Sequence, residues 1–402
     1  MATHKKTTTF HVMAKPTGAQ CNLDCAYCFF LKKAELYPES TFRMSDEVMG
    51  QYIRQTIAAH TTPHVTIAWQ GGEPTLMGLD FFRRAVDVER SAMRPGMTIE
   101  NTLQTNGVLL DDTWCEFLRE KRFLVGLSVD GPRAMHDAYR RDKAGNSVFD
   151  KVVKSVRLLQ QHHVEFNVLC TVNAVNSQSP LEVYKYFRDE LQTPYLQFIP
   201  IVEKEEGREQ GSGSSDSVKI TDRSVQPEQY GRFLIEIFDE WARRDVGKMF
   251  VLFFDGVLMS YLRGRSSLCI LQPSCGEGVA LEHNGDVYSC DHFVEPAHLL
   301  GNIKATLLPQ LVSSVKQLRF GQSKSSTLPR ACRECKFLFT CHGECPKNRV
   351  LTAADGEPGL NWLCAGLKAF FAHTEQPMKT MAELLKRGRP ADEIMSAVGQ
   401  AE

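Results

Sequence analysis

Cys21-Asn22-Leu23-Asp24-Cys25-Ala26-Tyr27-Cys28-Phe29 sets three cysteines at Cys-x3-Cys-x2-Cys spacing, closed by an aromatic residue. Thiolates are the soft ligands that iron–sulfur clusters take, so three of them can hold three corners of a [4Fe-4S] cube. One iron is then left without a protein ligand, and a small molecule can bind there. Spacing alone also allows a zinc site with a distant fourth ligand, or three buried thiols with no metal.

Outward from this loop, β-type and helix-type runs alternate. Thr9 to Ala14 reads as a strand that delivers the chain to Lys15-Pro16-Thr17-Gly18 and the cysteines. Val65 to Trp69, Thr98 to Leu103, Leu124 to Val129, Glu165 to Val172 and Tyr195 to Ile199 are the next strands. Asp46 to Ala59, Leu79 to Ser91, Asp111 to Lys121, Phe149 to Gln161 and Pro180 to Glu190 carry the helical spacing of apolar positions between them. Repeated β-α units predict parallel strands with right-handed crossovers, an α/β fold that periodicity leaves open between a doubly wound sheet and a barrel. The polar turns Gln70-Gly71-Gly72-Glu73-Pro74, Gln104-Thr105-Asn106-Gly107, Ser128-Val129-Asp130-Gly131-Pro132 and Gln197-Phe198-Ile199-Pro200 all follow strand ends. Each alone reads as a sharp bend. Together they gather on the rim where an α/β barrel collects its active-site loops.

At 402 residues the chain is long for a single core. A net charge of −1 with 24% charged residues argues against a nucleic-acid partner. The N-terminal Met1-Ala2-Thr3-His4-Lys5-Lys6 has no apolar signal core, and no run of eighteen apolar residues occurs, so a cytoplasmic protein with no membrane partner is expected. Thirteen cysteines, an odd number in close clusters, fit metal sites better than a disulfide scaffold. Eight follow in the second half: Cys269, Cys275, Cys290, Cys332, Cys335, Cys341, Cys345 and Cys364. Cys115 and Cys170 sit among apolar residues and read as core. A hairpin with Asn284-Gly285 at its turn lies inside this set, a setting that zinc ribbons also use. Glu203 to Ser215 is charged and then Gly/Ser-rich, which predicts a flexible polar loop near 203–225. Glu228 to Arg244 is amphipathic helix, and the tail from Trp362 to Phe371 and from Met378 to Val398 reads as two helices.

The Cys21, Cys25, Cys28 segment resembles the signature of the radical S-adenosylmethionine (SAM) enzymes, and Gly71-Gly72-Glu73-Pro74 resembles their GGEP motif. The resemblance implies a partial (β/α)6 barrel over residues 1–228, with SAM chelating the open iron and being cleaved to a 5'-deoxyadenosyl radical. It also implies that the carbonyls of Gly71 and Gly72 and the carboxylate of Glu73 meet the methionine ammonium. By the same carry-over Tyr27 offers backbone near the adenine, Gln104 and Ser128 bond the ribose or methionine end, Leu196 contacts SAM, and Arg140 meets its carboxylate. Arg141 lies beside Arg140, and adjacent arginines also read as a solvated surface.

The order of the later cysteines resembles the SPASM extension, implying a cysteine-rich domain over 229–402 with two auxiliary [4Fe-4S] clusters. Cys269, Cys275, Cys290 and Cys345 would hold one cluster, and Cys332, Cys335, Cys341 and Cys364 the other. His11-Val12-Met13-Ala14-Lys15-Pro16, Trp69 through Leu76, Phe123 through Ser128 and Tyr288-Ser289-Cys290-Asp291-His292 narrow the resemblance to the anaerobic sulfatase-maturating enzymes. These oxidise a cysteine or serine of a sulfatase to Cα-formylglycine within a Cys/Ser-x-Pro/Ala-x-Arg type segment. The expected partners are a sulfatase polypeptide and a ferredoxin or flavodoxin electron donor, with the chain a monomer. Asp291 matches the proposed base, a role carboxylates fill when partial burial lifts their pKa. His292 is the runner-up. A solvated turn aspartate is the plainer reading of Asp291. The competing functions are another SPASM peptide modifier that forms thioether crosslinks, and a zinc-stabilised binding protein.

Overall fold

Ser45 and Asp111 open two of the expected helices. The Val48 amide donates to Ser45 Oγ at 3.2 Å and the Trp114 amide to Asp111 Oδ1 at 2.9 Å, each satisfying an orphan donor of a first turn. The structure, a computed structural model, describes residues 10–205 and 218–398. Strands β1 (His11–Lys15), β2 (His64–Trp69), β3 (Thr98–Thr105), β4 (Phe123–Ser128), β5 (Phe166–Val172) and β6 (Tyr195–Pro200) alternate with helices. The helices are α1 (Asp46–Ala59), α2 (Leu79–Ala92), α3 (Asp112–Glu120), α4 (Arg133–Tyr139), α5 (Phe149–Gln161) and α6 (Pro180–Lys185). The last expected helix does not run through to Glu190 as α-helix. After α6 it widens into a π turn, Tyr186–Glu190, in which the Leu191 amide donates to the Tyr186 carbonyl at 2.9 Å.

The second half continues with α7 (Pro227–Arg244), β7 (Phe250–Val251) and α8 (Leu252–Arg263), then β8 (Gly278–Glu282), β9 (Asp286–Tyr288) and β10 (Leu299–Asn302). Helices α9 (Leu308–Val312), α10 (Val315–Ser326), α11 (Arg330–Arg333), α12 (Leu338–Cys341), α13 (Cys364–Lys386) and α14 (Ile394–Val398) complete it.

The chain divides into two compact units that do not follow a cut at residue 228. One takes the described residues through Ser128 with Tyr139–Phe166 and Cys275–Gln322; the other takes Val129–Ala138, Asn167–Ser274 and the described residues from Ser323 onward. In the first unit the strand order is β10-β9-β8-β1-β2-β3-β4. β1 to β4 are parallel, and β8 joins them parallel to β1, with Val12 opposite Val279 and Ala14 opposite Leu281. The expected hairpin is β8-β9, and its Gly285 sits at φ +98°.

Register fixes which side chains share a face. Ala14 pairs with Trp69, Trp69 with Leu103 and Leu103 with Val125, and helices cover this side. Trp69 packs edge-on against Tyr52 of α1 and against Phe81 and Phe82 of α2, and Phe82 against Trp114 of α3. The alternation of a strand then sends Lys15, Gln104 and Ser128 to the other face.

In the second unit β5, β6 and β7 are parallel. Its core is aromatic: Phe254 of α8 stacks on Phe370 of α13 at 5.7 Å between centroids, and Phe238 of α7 meets both rings edge-on. The two expected tail helices are in fact one helix, α13, running through Pro377, followed by the short α14. A proline inside a helix costs about 3 kcal/mol. Burial of Phe370, Phe371, Met378 and Met381 on one stripe, each contributing roughly 1.5–3 kcal/mol, offsets it. Most of the expected polar loop, 206–217, and the basic Met1-to-Lys6 start lie outside the described residues. The loop's stems are joined by the Glu203–Arg223 ion pair at 3.1 Å.

Candidate functional site

The cysteine loop is fixed from two sides within the first unit. Along one side, the Asp24 amide donates to the Arg141 carbonyl and the Ala26 amide to the Tyr139 carbonyl, both at 2.9 Å. Along the other, the Gly72 amide donates to the Gly18 carbonyl at 2.8 Å and the Glu73 amide to the Gln20 carbonyl at 2.9 Å. This second contact explains the glycines. Gly71 has φ +125°, and a Cβ on Gly72 would sit 1.9 Å from the Gln20 carbonyl oxygen, so only glycine lets the turn lie against the segment leading to Cys21. Cys21, Cys25 and Cys28 are partly buried and form no disulfide. Burial pushes the Cys21 thiol up to about 11, with the Leu23 amide, 3.3 Å from the sulfur, opposing the shift. Loading a metal there releases that proton.

Glu73 is buried. Its buried Oε1 accepts from the Thr75 amide, the Thr75 hydroxyl and the Thr105 hydroxyl at 3.1, 2.6 and 2.7 Å, and Oε2 accepts from the Asn106 amide at 2.8 Å. Three of these donors meet Oε1 and one meets Oε2, which keeps a further acceptor site. Burial raises its pKa and these bonds hold it down. Glu73 therefore ties the end of β2 to the end of β3. Asn106, part of the polar turn after β3 but given no role of its own by the sequence, reaches back to the loop: its Nδ2 donates to Asn22 Oδ1 at 2.8 Å and lies 3.7 Å from Cys21 Sγ.

The two neighbouring arginines separate by environment. Arg140 is buried, with its guanidinium carbon 5.4 Å from the centroid of the Tyr27 ring. Arg141 is exposed and donates to the Gly145 carbonyl at 3.0 Å. Tyr27 and Arg140 are thus brought together beside Cys28. Gln104, exposed, and Ser128, buried, share one face of the sheet with Lys15. Leu196 lies in the second unit, opposite Val168 on β5.

Asp291 arrives on a single 3-10 turn, Asp291–Phe293, that follows Cys290. Its carboxylate forms an ion pair with Lys15 at the end of β1. His292 packs its ring against Phe29, 5.4 Å between centroids. On the flanking segments, Gln317 Nε2 donates to the carbonyls of Gly276 and Ser289 at 3.0 Å each, holding together the neighbours of Cys275 and Cys290. Sequence patterns gave no sign of this glutamine.

In the second unit, Cys332, Cys335, Cys341 and Cys364 line a single pocket. They are the four residues that the interlaced ligand pattern groups. Burial raises the pKa of Cys332, Cys341 and Cys364, that of Cys341 to about 12. After Cys341 the backbone turns left-handed for three residues, His342 at φ +46°, Gly343 at +72° and Glu344 at +52°, before Cys345, which does not line the pocket. Two non-glycine residues in that region cost free energy, and the buried Glu344 carboxylate, accepting from Asn348 and Asn361 at 3.0 and 2.7 Å, holds them there. Cys269 is pushed up by burial and held down by Lys324, whose Nζ donates to the Cys269 and Ile270 carbonyls at 2.6 and 2.9 Å. Among the described residues no group of three His, Cys, Asp or Glu converges as a single metal ion requires. Cys115 and Cys170 are fully buried, as expected of core residues.

The donor chemistry fits iron–sulfur clusters: eleven thiols outside the core cysteines, three of them on a loop cradled by bare backbone. Comparison with known proteins agrees. The Radical SAM superfamily model matches residues 16–187, and the SPASM iron-sulfur cluster-binding domain matches 273–336. The chain is 45% identical over 395 residues to a serine-type anaerobic sulfatase-maturating enzyme of Bacteroides thetaiotaomicron, covering 96% of this chain and 95% of that protein. It is 32% identical to a cysteine-type enzyme of Clostridium perfringens, over 93% of this chain and 99% of that one. The solved structure of native anSMEcpe with bound AdoMet and Cp18Cys peptide superposes with a TM-score of 0.82 at 33% identity, covering 93% of this chain and 99% of that one.

Proposed function

The chain belongs to the anaerobic sulfatase-maturating enzymes of the radical SAM superfamily, and from that premise we propose that it oxidises a cysteine or serine side chain of a sulfatase to Cα-formylglycine. When bound, SAM and three [4Fe-4S] clusters supply a 5'-deoxyadenosyl radical that removes a Cβ hydrogen and a sink for the second electron. The rest falls to the residues. Cys21, Cys25 and Cys28 hold the cluster at which SAM binds. The Gly71-Gly72 backbone meets the methionine part, Tyr27 and Arg140 flank it, and Gln104, Ser128 and Leu196 complete the SAM contacts. Asp291 accepts the thiol or hydroxyl proton of the target residue. Cys269, Cys275, Cys290 and Cys345 hold one auxiliary cluster, and Cys332, Cys335, Cys341 and Cys364 the other. Residues 1–228 thus carry the radical chemistry and 229–402 the auxiliary clusters, although the two stretches share compact units.

The observation that carries this reading is the placement of Asp291. A carboxylate distant in sequence is held at the end of β1, on the strand that leads directly into the cysteine loop. A turn aspartate in solvent has no such partner. The test is anaerobic incubation with SAM, a reductant and a sulfatase-derived peptide. Oxidation lowers the peptide mass by about two units for serine, or by about eighteen for cysteine once the thioaldehyde is hydrolysed. Deoxyadenosine formed with no change in peptide mass rules out this substrate and leaves the radical SAM chemistry.

A further inference from the structure

Lys15 occupies a place that a solvated lysine does not. It is 2% exposed, at the last position of β1. Lysine is almost never buried this deeply unless its charge is matched. Here its ammonium forms an ion pair with Asp291, donates to Gln70 Oε1 at 3.2 Å, and stands 4.7 Å from the centroid of the Phe30 ring. Three N–H directions meet an anion, an amide oxygen and a π face, which accounts for the whole cation.

We propose that Lys15 is a positioning residue for the oxidation, fixing the direction in which the Asp291 carboxylate faces the target side chain. This rests on Asp291 being the base. Asp291 stands on one short 3-10 turn whose start carries no side-chain cap, so its own element does little to orient it. Lys15, by contrast, is held in a five-residue strand paired on both edges. The same ammonium grips Gln70, the residue before the Gly71-Gly72 turn, so the base and the turn assigned to SAM share one anchor. A base must lie within hydrogen-bond reach of the proton it takes, and a displacement of about 1 Å can cost about 100-fold. Glu282 stands opposite Lys15 in the β1–β8 register, but Lys15 pairs with Asp291.

The experiment uses the reconstituted holoenzyme and the sulfatase peptide. K15M is expected to lower kcat for peptide oxidation by about 10- to 100-fold while the peptide KM stays within about twofold. Deoxyadenosine released per peptide oxidised should rise. K15R should recover part of the rate, and ethylammonium should restore part of it to K15A. In a D291N background, K15M should add no further loss, because it acts through Asp291. Iron content and thermal unfolding report on folding independently of turnover; should K15M not load iron, K15R and the ethylammonium rescue carry the same comparison. Wild-type kcat in K15M, a loss that multiplies with D291N, or a rise in KM at unchanged kcat overturns the assignment. Wild-type enzyme that makes deoxyadenosine but leaves the peptide unmodified overturns the function first, and this role with it.

Discussion

Glu73 and Glu89 are both buried carboxylates of the first unit, yet only one is well supplied with donors. Glu73 has four, whereas Glu89 Oε2 accepts from Asn101 Nδ2 at 2.8 Å and Oε1 has no hydrogen-bond partner among the described residues. Burial, opposed by Asn101, lifts Glu89 from 4.5 to about 7. The raised native pKa means that below pH 4.5 both folded and unfolded chains are protonated and the fold suffers no penalty. Between 4.5 and 7 the native state binds the extra proton, so stability falls as pH rises, by a total on the order of 3 kcal/mol, and stays level above. Urea unfolding of wild type and E89Q should therefore diverge across this window, with E89Q gaining on the wild type at the higher pH; parallel curves would mean that Glu89 is solvated. At Asp291 the expected result is chemical. D291N should retain its iron yet lose peptide oxidation by at least about 100-fold, the lower range for general-base catalysis, as read by peptide mass.

At the scale of elements, α7 and α13 cross where Gly231 meets Gly366. A Cβ on Gly366 would lie 1.9 Å from the Pro227 carbonyl oxygen and 2.8 Å from the Gly231 amide nitrogen. Alanine is the better helix former by about 1 kcal/mol, but backbone atoms cannot step aside as a side-chain tip can. Packing should win: G366A is expected to lower stability by about 1–3 kcal/mol in a denaturant melt. The elements legible in the sequence were those with an internal period. Asp46–Ala59 and Phe149–Gln161 were read to the residue because their apolar stripes are clean. Helix α8, Leu-Phe-Phe-Asp-Gly-Val-Leu-Met, is apolar on most sides, so no stripe marks it. Pro377 masked the continuity of α13 because burial, which propensity does not see, decides there. At the candidate site, residue types revealed the cysteines and glycines. Lys15, Asn106 and Gln317 act through partners far away in sequence, and no local pattern encodes such partners.

For the whole molecule, three four-iron clusters predict about twelve iron atoms per chain. C332A should remove the pocket cluster and leave about eight, whereas C115A, in the core, should keep about twelve, both read by iron and sulfide analysis after anaerobic purification. Colourless protein holding zinc would overturn the cluster assignment. The compact units are also interleaved along the chain, and β1 lies between β2 and β8. During synthesis β1 leaves the ribosome early, but its partner on one side, Gly278–Glu282, emerges only after most of the chain has been made. Until then β1 presents an open edge, the template on which chains aggregate. Nascent chains arrested before residue 278 should thus stick to one another, and the loop bearing Cys21, Cys25 and Cys28 becomes a finished receptacle for iron only once Gly278–Glu282 has been made.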